Sequence, residues 1–215
     1  ILLATGGHFL AHGGVVDFLD RHARTLEYYA KRMEEPLHPD LFISLDLSSQ
    51  TDQIGIWNNT LSFNLKRFFV PFGRRFTHYA EEVAPRQGRE SGAALVNGIS
   101  AIKGMDWSSF VPLGVSVDGQ TALMAGQLAL SFVTVHDARF AVNTPLDVAA
   151  DVQLENLAKQ SAFLNGILSR AFNDTELLSE LEEFELKDDM RTYGVRVRAL
   201  PRRSQIPDRK IPGAL

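Results

Sequence analysis

An α/β fold, a mostly parallel twisted sheet with helices on both faces, is predicted by three features of this chain. Residues 41–47, Leu-Phe-Ile-Ser-Leu-Asp-Leu, are apolar almost throughout, as a strand covered on both faces should be. Residues 128–135 form the clearest β run of the second half. Around these runs lie long segments whose apolar residues recur at three- and four-residue steps, the period of an amphipathic helix. Strands alternating with such helices give a three-layer arrangement, helix on sheet on helix.

The elements follow in order. Residues 1–5 are a short apolar run that stops at Gly6-Gly7, which predicts a buried strand. After Gly13-Gly14, the stripe Val15, Phe18, Leu19, His22, Leu26, Tyr29 and Met33 predicts a helix that Pro36 ends. Residues 53–58 read as a short strand. Residues 66–83 read as partly helical, interrupted by Pro71 and Gly73. Scattered glycines and prolines predict mainly loops over 84–119, where a pocket rim would lie. Residues 144–147 predict a turn. Asp151 is placed to cap a helix running to Phe172, with Val152, Leu154, Leu157, Phe163, Leu164, Ile167 and Leu168 as its buried stripe. The acidic stretch 176–189 reads as a solvated link. Residues 191–200 alternate Tyr193, Val195, Val197 and Ala199 against Arg196 and Arg198, as an edge strand does.

Composition excludes several classes of function. With 215 residues the chain suits one domain and a small appendage, and it can bury roughly two thirds of its unfolded surface. It has no cysteine, so there is no disulfide framework, thiolate metal site or cysteine nucleophile. A net charge of −4 supplies no field for nucleic acid, and no nucleic-acid partner is expected. The basic residues Arg202, Arg203, Arg209 and Lys210 are broken up by prolines and read as a solvated exit segment. No window approaches the roughly 20 apolar residues that span a bilayer, so no transmembrane segment is expected. The chain opens in what reads as mid-strand, which predicts a piece of a longer protein.

In a parallel α/β sheet, ligands bind beyond the carboxyl ends of the strands. Those places carry Thr5-Gly6-Gly7-His8, Asp46 with Ser48-Ser49, and His136-Asp137 followed by Asn143-Thr144-Pro145-Leu146-Asp147. No Gly-x-Ser-x-Gly elbow surrounds Ser48-Ser49. His136 and Asp137 are adjacent at a strand end and should point to opposite faces, which argues against a catalytic dyad. Gly13-Gly14 could receive an anion at a helix start or serve close packing. Phe68, Phe69, Phe72 and Phe76, with Arg67, Arg74 and Arg75, could stack bases or line a core, and the helical spacing favours the core.

In the order and spacing of these elements the chain resembles the zinc-dependent exopeptidases, the family of aminopeptidases and transferrin-receptor-like peptidase domains. Thr5-Gly6-Gly7-His8 falls on the family's Asp-Gly-Glu-Glu, and Gly13-Gly14 on the Gly-Ser that closes its next motif. Ser44-Leu45-Asp46-Leu47 falls on the strand bearing an aspartate ligand, and Asn143 begins the turn that holds a histidine ligand. The resemblance spans residues 1–172. It implies a zinc-exopeptidase-like domain over residues 1–175, incomplete at its N-terminus. The acidic link, edge strand and proline-rich exit segment fill 176–215. It places metal-site positions at His8, Asp46 and Asn143, with His12 or His136 as substitutes. Gly7 stands where the family has its general-base glutamate, a group worth roughly 10²–10⁴-fold in rate. Asn143 supplies an amide oxygen, a poor zinc ligand. No catalytic residue is therefore assigned. The expectation is a catalytically inactive, metallopeptidase-like interaction module of a larger protein, with a protein partner or further domains of the parent chain as its contact. No cofactor is expected. The alternative is an active zinc hydrolase with a rearranged site. The family also implies an exported location, periplasmic or extracellular.

Overall fold

The computed structural model describes residues 2–6, 12–22, 37, 39–58, 63–88, 95–99, 117–125, 127–142, 144–183, 198–199 and 209–210. They form two compact units, residues 1–185 and 186–215. In the first, the order is α1 (Gly13–His22), β1 (Phe42–Asp46), β2 (Ile54–Trp57), α2 (Phe63–Val83), β3 (Leu95–Asn97), α3 (Asp118–Met124), β4 (Ala129–Thr134), α4 (Leu154–Phe172) and α5 (Thr175–Glu183). In the second, β5 (Arg198–Ala199) pairs with β6 (Arg209–Lys210) in an antiparallel ribbon. This is an α/β architecture.

The sheet order is β1-β4-β2-β3. β1 and β4 run parallel, β2 and β3 run parallel, and β4 meets β2 antiparallel. One reversal thus enters a mostly parallel sheet. Its cause is the connection over residues 47–53, which is too short for the crossover of a dozen or more residues that a parallel return needs. β2 must therefore run back, and β4 fills the position between it and β1.

β4 is the centre, with all six residues buried. Its side chains alternate between two helical layers. Phe132 meets Phe76 of α2 edge to face at 5.7 Å, and Thr134 bonds Gln160 of α4. On the other face Ser131 bonds Ser44 of β1 at 3.3 Å, and Gly119 of α3 lies over both serines. Val117 and Val133 close a small apolar cluster there with Val135, flanked by Trp57 and Val96. α2 and α4 cover one face, while α3, with α1 packed on it, covers the other.

Several expectations are corrected. Residues 2–6 form no strand, and Leu2 is 98% exposed; their ties are the Gly14 N–H to the Gly6 carbonyl at 3.0 Å and the Thr5 hydroxyl to Asp118. α2 runs unbroken through Pro71 and Gly73, because Phe69, Phe72, Phe76, Tyr79, Ala80 and Val83 bury one continuous stripe, and packing of such a stripe outweighs local propensity. Gly73 is there for contact: a Cβ would stand 2.9 Å from the Asn97 amide oxygen. The buried rings also exclude base stacking by Phe69, Phe72 and Phe76, which present no open face. The side chains of Arg67 and Phe68 lie outside the described residues.

Asp151 does not cap α4. It ends a 3₁₀ turn (Ala149–Asp151), and Gln153 holds the cap position without a side-chain bond. The buried face of α4 is Gln160, Phe163, Leu164, Ile167 and Ala171, while Val152 and Leu154 are exposed. Residues 175–183 are helical, since Leu177 and Leu181 bury against the core. Among its described residues the 84–119 region holds a 3₁₀ turn (Ala84–Gln87), β3 and the first two residues of α3. Leu26, Tyr29, Met33 and residues 191–197 lie outside the described set.

α2 and the start of α5 are clasped by charge. Arg75 reaches Asp174 at 3.1 Å, Glu176 at 3.3 Å and Glu180 at 2.6 Å, and the Tyr79 hydroxyl donates to Asp174. The other Asp174 oxygen accepts from the Glu176 and Leu177 N–H groups, capping α5. The Tyr79 bond, aided by Arg75 and these amides, holds the Asp174 carboxyl down at about 2, and burial with the same bond raises the Tyr79 hydroxyl.

Two outcomes follow. Asp174→Asn should lower stability at neutral pH by about 1 kcal/mol, measured by urea denaturation. A carboxyl depressed in the folded state stabilises above its unfolded value near 4, so the wild-type advantage over Asp174→Asn should fade between about pH 4 and pH 2. At Gly14 a Cβ would strike the backbone of Gly6, which cannot rotate away. Gly14→Ala should therefore cost about 1–3 kcal/mol and release the Gly14 amide to hydrogen exchange.

Candidate functional site at the tips of β1 and β4

Parallel pairing brings the carboxyl ends of β1 and β4 side by side, with Asp46 opposite Val133. Asp46 therefore lies on the α3 face, two residues beyond Ser44. Past β4 the chain turns sharply. His136 and Arg139 take left-handed φ values of 58° and 50°, and the buried Asp137 accepts the Arg139 N–H at 2.8 Å. This turn sends the Arg139 side chain back over β1. Its guanidinium donates to Asp46 Oδ1 at 2.7 Å and to the Asp46 carbonyl at 3.1 Å. The two side chains are only 11% and 19% exposed, so water screens the pair weakly. Asp46 Oδ2, Arg139 Nε and Ser48 Oγ are buried beside this pair or one strand step away, with no hydrogen-bond partner among the described residues.

On the other face of the same tips sits a buried amide. Gln160, fully buried in α4, donates to the Ser48 carbonyl at 2.8 Å and the Thr51 carbonyl at 2.5 Å. Its Oε1 lies 3.0 Å from the Thr134 hydroxyl, which in turn accepts the Ser48 N–H at 2.8 Å. Asn156 holds the Ser49 carbonyl at 2.8 Å, and the Thr51 hydroxyl donates to the Val135 carbonyl at 2.7 Å. The 48–51 loop is thus fastened at each carbonyl that matters.

A third group lies on the α3 side. His12, buried and at a left-handed φ of 59°, approaches Asp118 Oδ1 through Nδ1 at 2.7 Å. Thr5 donates to Asp118 Oδ2 at 3.0 Å. The carboxylate at the head of α3 thereby joins the 2–6 segment to the residue preceding α1.

Of the positions the sequence singled out, Asp46 is at the strand tip, engaged by Arg139. His8, Asn143 and Gly7 lie outside the described residues. His136 is exposed on the turn, and Asp137 serves the Arg139 backbone. Sequence reasoning missed Asp118, Arg139 and Gln160. Arg139 carried one available signal, a cation four residues past the expected strand end; Asp118 and Gln160 carried none, since His12 lies 106 positions from Asp118 and the Ser48 carbonyl 112 from Gln160.

A zinc ligand must offer a lone pair to a cation. Among the described residues Asp46 Oδ1 faces a guanidinium and the His12 Nδ1 a carboxylate. Among the described residues no group of three or more His, Asp or Glu could hold a metal ion. No described helix is long and apolar enough to cross a membrane.

Fold and site together define a layered α/β domain with an ion-paired, amide-braced strand-end corner. Comparison with protein-family models, with curated proteins and with solved structures yields no match to this chain.

Substitutions separate the two supports. Gln160→Leu takes the amide donor from the Thr51 carbonyl and leaves the Ser48 carbonyl to the Thr134 hydroxyl alone, and should cost about 1–3 kcal/mol by denaturant titration. Asp46→Leu and Arg139→Met should each cost more alone than the two together, because a single change strands a buried charge. A double-mutant cycle showing simple additivity would refute that coupling.

Proposed function

We propose that this domain is a metallopeptidase-like α/β module without catalytic activity, which serves as an interaction part of a larger protein. The observation that supports this most is the Asp46–Arg139 ion pair, at 2.7 Å and largely buried. The zinc-exopeptidase resemblance gives Asp46 to a metal, and a guanidinium on that carboxylate repels a divalent cation at close range. Glycine at position 7, where the resemblance expects a general base, points the same way.

A second reading, an active zinc-dependent aminopeptidase-type hydrolase with a rearranged site, draws on one observation. The His12–Asp118 contact is the carboxylate–imidazole pairing that commonly orients a metal-binding histidine. One experiment separates the two. The purified chain is equilibrated with zinc, desalted and assayed by elemental analysis, then tested against aminoacyl-anilide substrates. The expected result is substoichiometric zinc and no turnover. Stoichiometric zinc, with turnover abolished in Asp46→Ala and His12→Ala, would establish the hydrolase instead.

A further inference from the structure

The path from Arg139 to the start of α4 has side chains at odds with its exposure. Phe140, Leu146 and Leu154 are 86%, 71% and 73% exposed, and Val142, Val148 and Val152 are each exposed by two fifths or more. Single apolar residues at a surface are ordinary. Six within residues 140–154 form a concentration of the kind that marks an interaction site.

The segment is built to hold this shape. Val142 N–H donates to the Arg139 carbonyl, Thr144 N–H to Ala141, Asp147 N–H to Thr144 and Asp151 N–H to Val148, all at 3.0–3.1 Å. Arg139 anchors one end on Asp46, and Gln153 and Asn156 anchor the other on Gln50 and Ser49. Successive turns use the backbone groups locally and leave the apolar side chains outside. A surface ordered beforehand loses little entropy on binding.

Charge selects the occupant. Asp147 and Asp151 are exposed among the apolar residues, and residues 140–154 contain no lysine or arginine. We propose that this segment docks a protein partner presenting an amphipathic stretch, apolar on one side and carrying Lys or Arg beside it. The inference rests on the interaction-module reading and names the partner chemistry. A second copy of this chain fits poorly, because a two-fold contact would set these carboxylates against their own copies. An anionic bilayer fits poorly for the same reason.

The test is titration of the full chain with a synthetic amphipathic helix of leucine and lysine, beside its leucine–glutamate counterpart. The leucine–lysine peptide should bind and weaken with added salt, and the glutamate version should not bind. Phe140→Ser with Leu146→Ser, and separately Asp147→Lys with Asp151→Lys, should each weaken binding about tenfold or more. Asp17→Lys with Glu81→Lys, two exposed carboxylates outside the segment, should leave it unchanged. Thermal melts establish that each variant is folded. Equal affinity across all variants overturns the proposal, as does dimerisation abolished by Phe140→Ser, or binding to phosphatidylserine vesicles through the same residues. Zinc uptake with turnover would instead sink the underlying reading while peptide affinity was scored separately.

Discussion

One buried side-chain amide, that of Gln160, fixes the geometry on which the strand-end site depends. It stands fully buried on α4, where an unsatisfied amide would cost heavily, and each of its polar atoms is used. The Ser48 and Thr51 carbonyls belong to the short connection between β1 and β2. Holding both sets the height of that loop over β4 and thereby the start of β2. An apolar residue there would fill the volume but leave the Thr51 carbonyl without the amide donor and the Ser48 carbonyl with the Thr134 hydroxyl alone. Such fully satisfied networks specify one arrangement among several that hydrophobic packing alone would allow.

The opposite face of the same tips is governed by charge. Because β1 and β4 are parallel, both chains leave the sheet at the same edge, and the left-handed turn at His136 and Arg139 brings a cation over an acidic strand tip. The outcome is a neutralised corner. The exposed segment that follows Arg139 depends on this pair for one of its anchors. The ion pair and the apolar docking surface are thus two consequences of one chain reversal.

The fold was largely legible where periodicity is a physical necessity. The runs at 41–47 and 128–135 became β1 and β4, 53–58 contained β2, and the second long stripe became α4 from Leu154. It failed where tertiary contact overrules local preference. Pro71 and Gly73 look like breakers, yet the buried stripe of α2 carries the helix through both. The acidic stretch 176–189 reads as a solvated link, yet its described part is a helix that buries Leu177 and Leu181 on one side. Leu2 and Leu3 suggest a strand, yet an apolar run becomes one only if a neighbour offers its edge.

For the site, the sequence by itself determined which residue types stand at the strand tips: a carboxylate at 46, serines at 48 and 49, and a histidine–aspartate pair at 136 and 137. It also set the absence of cysteine chemistry and the glycine at position 7. Only the tertiary structure decided what those groups face. Arg139 lies 93 positions from Asp46, Asp118 lies 106 from His12, and Gln160 lies 112 from Ser48. Periodicity reports which side of an element is apolar, a local property of the chain. The partner of a buried polar group is set by how elements pack across the sheet, and no local pattern encodes it.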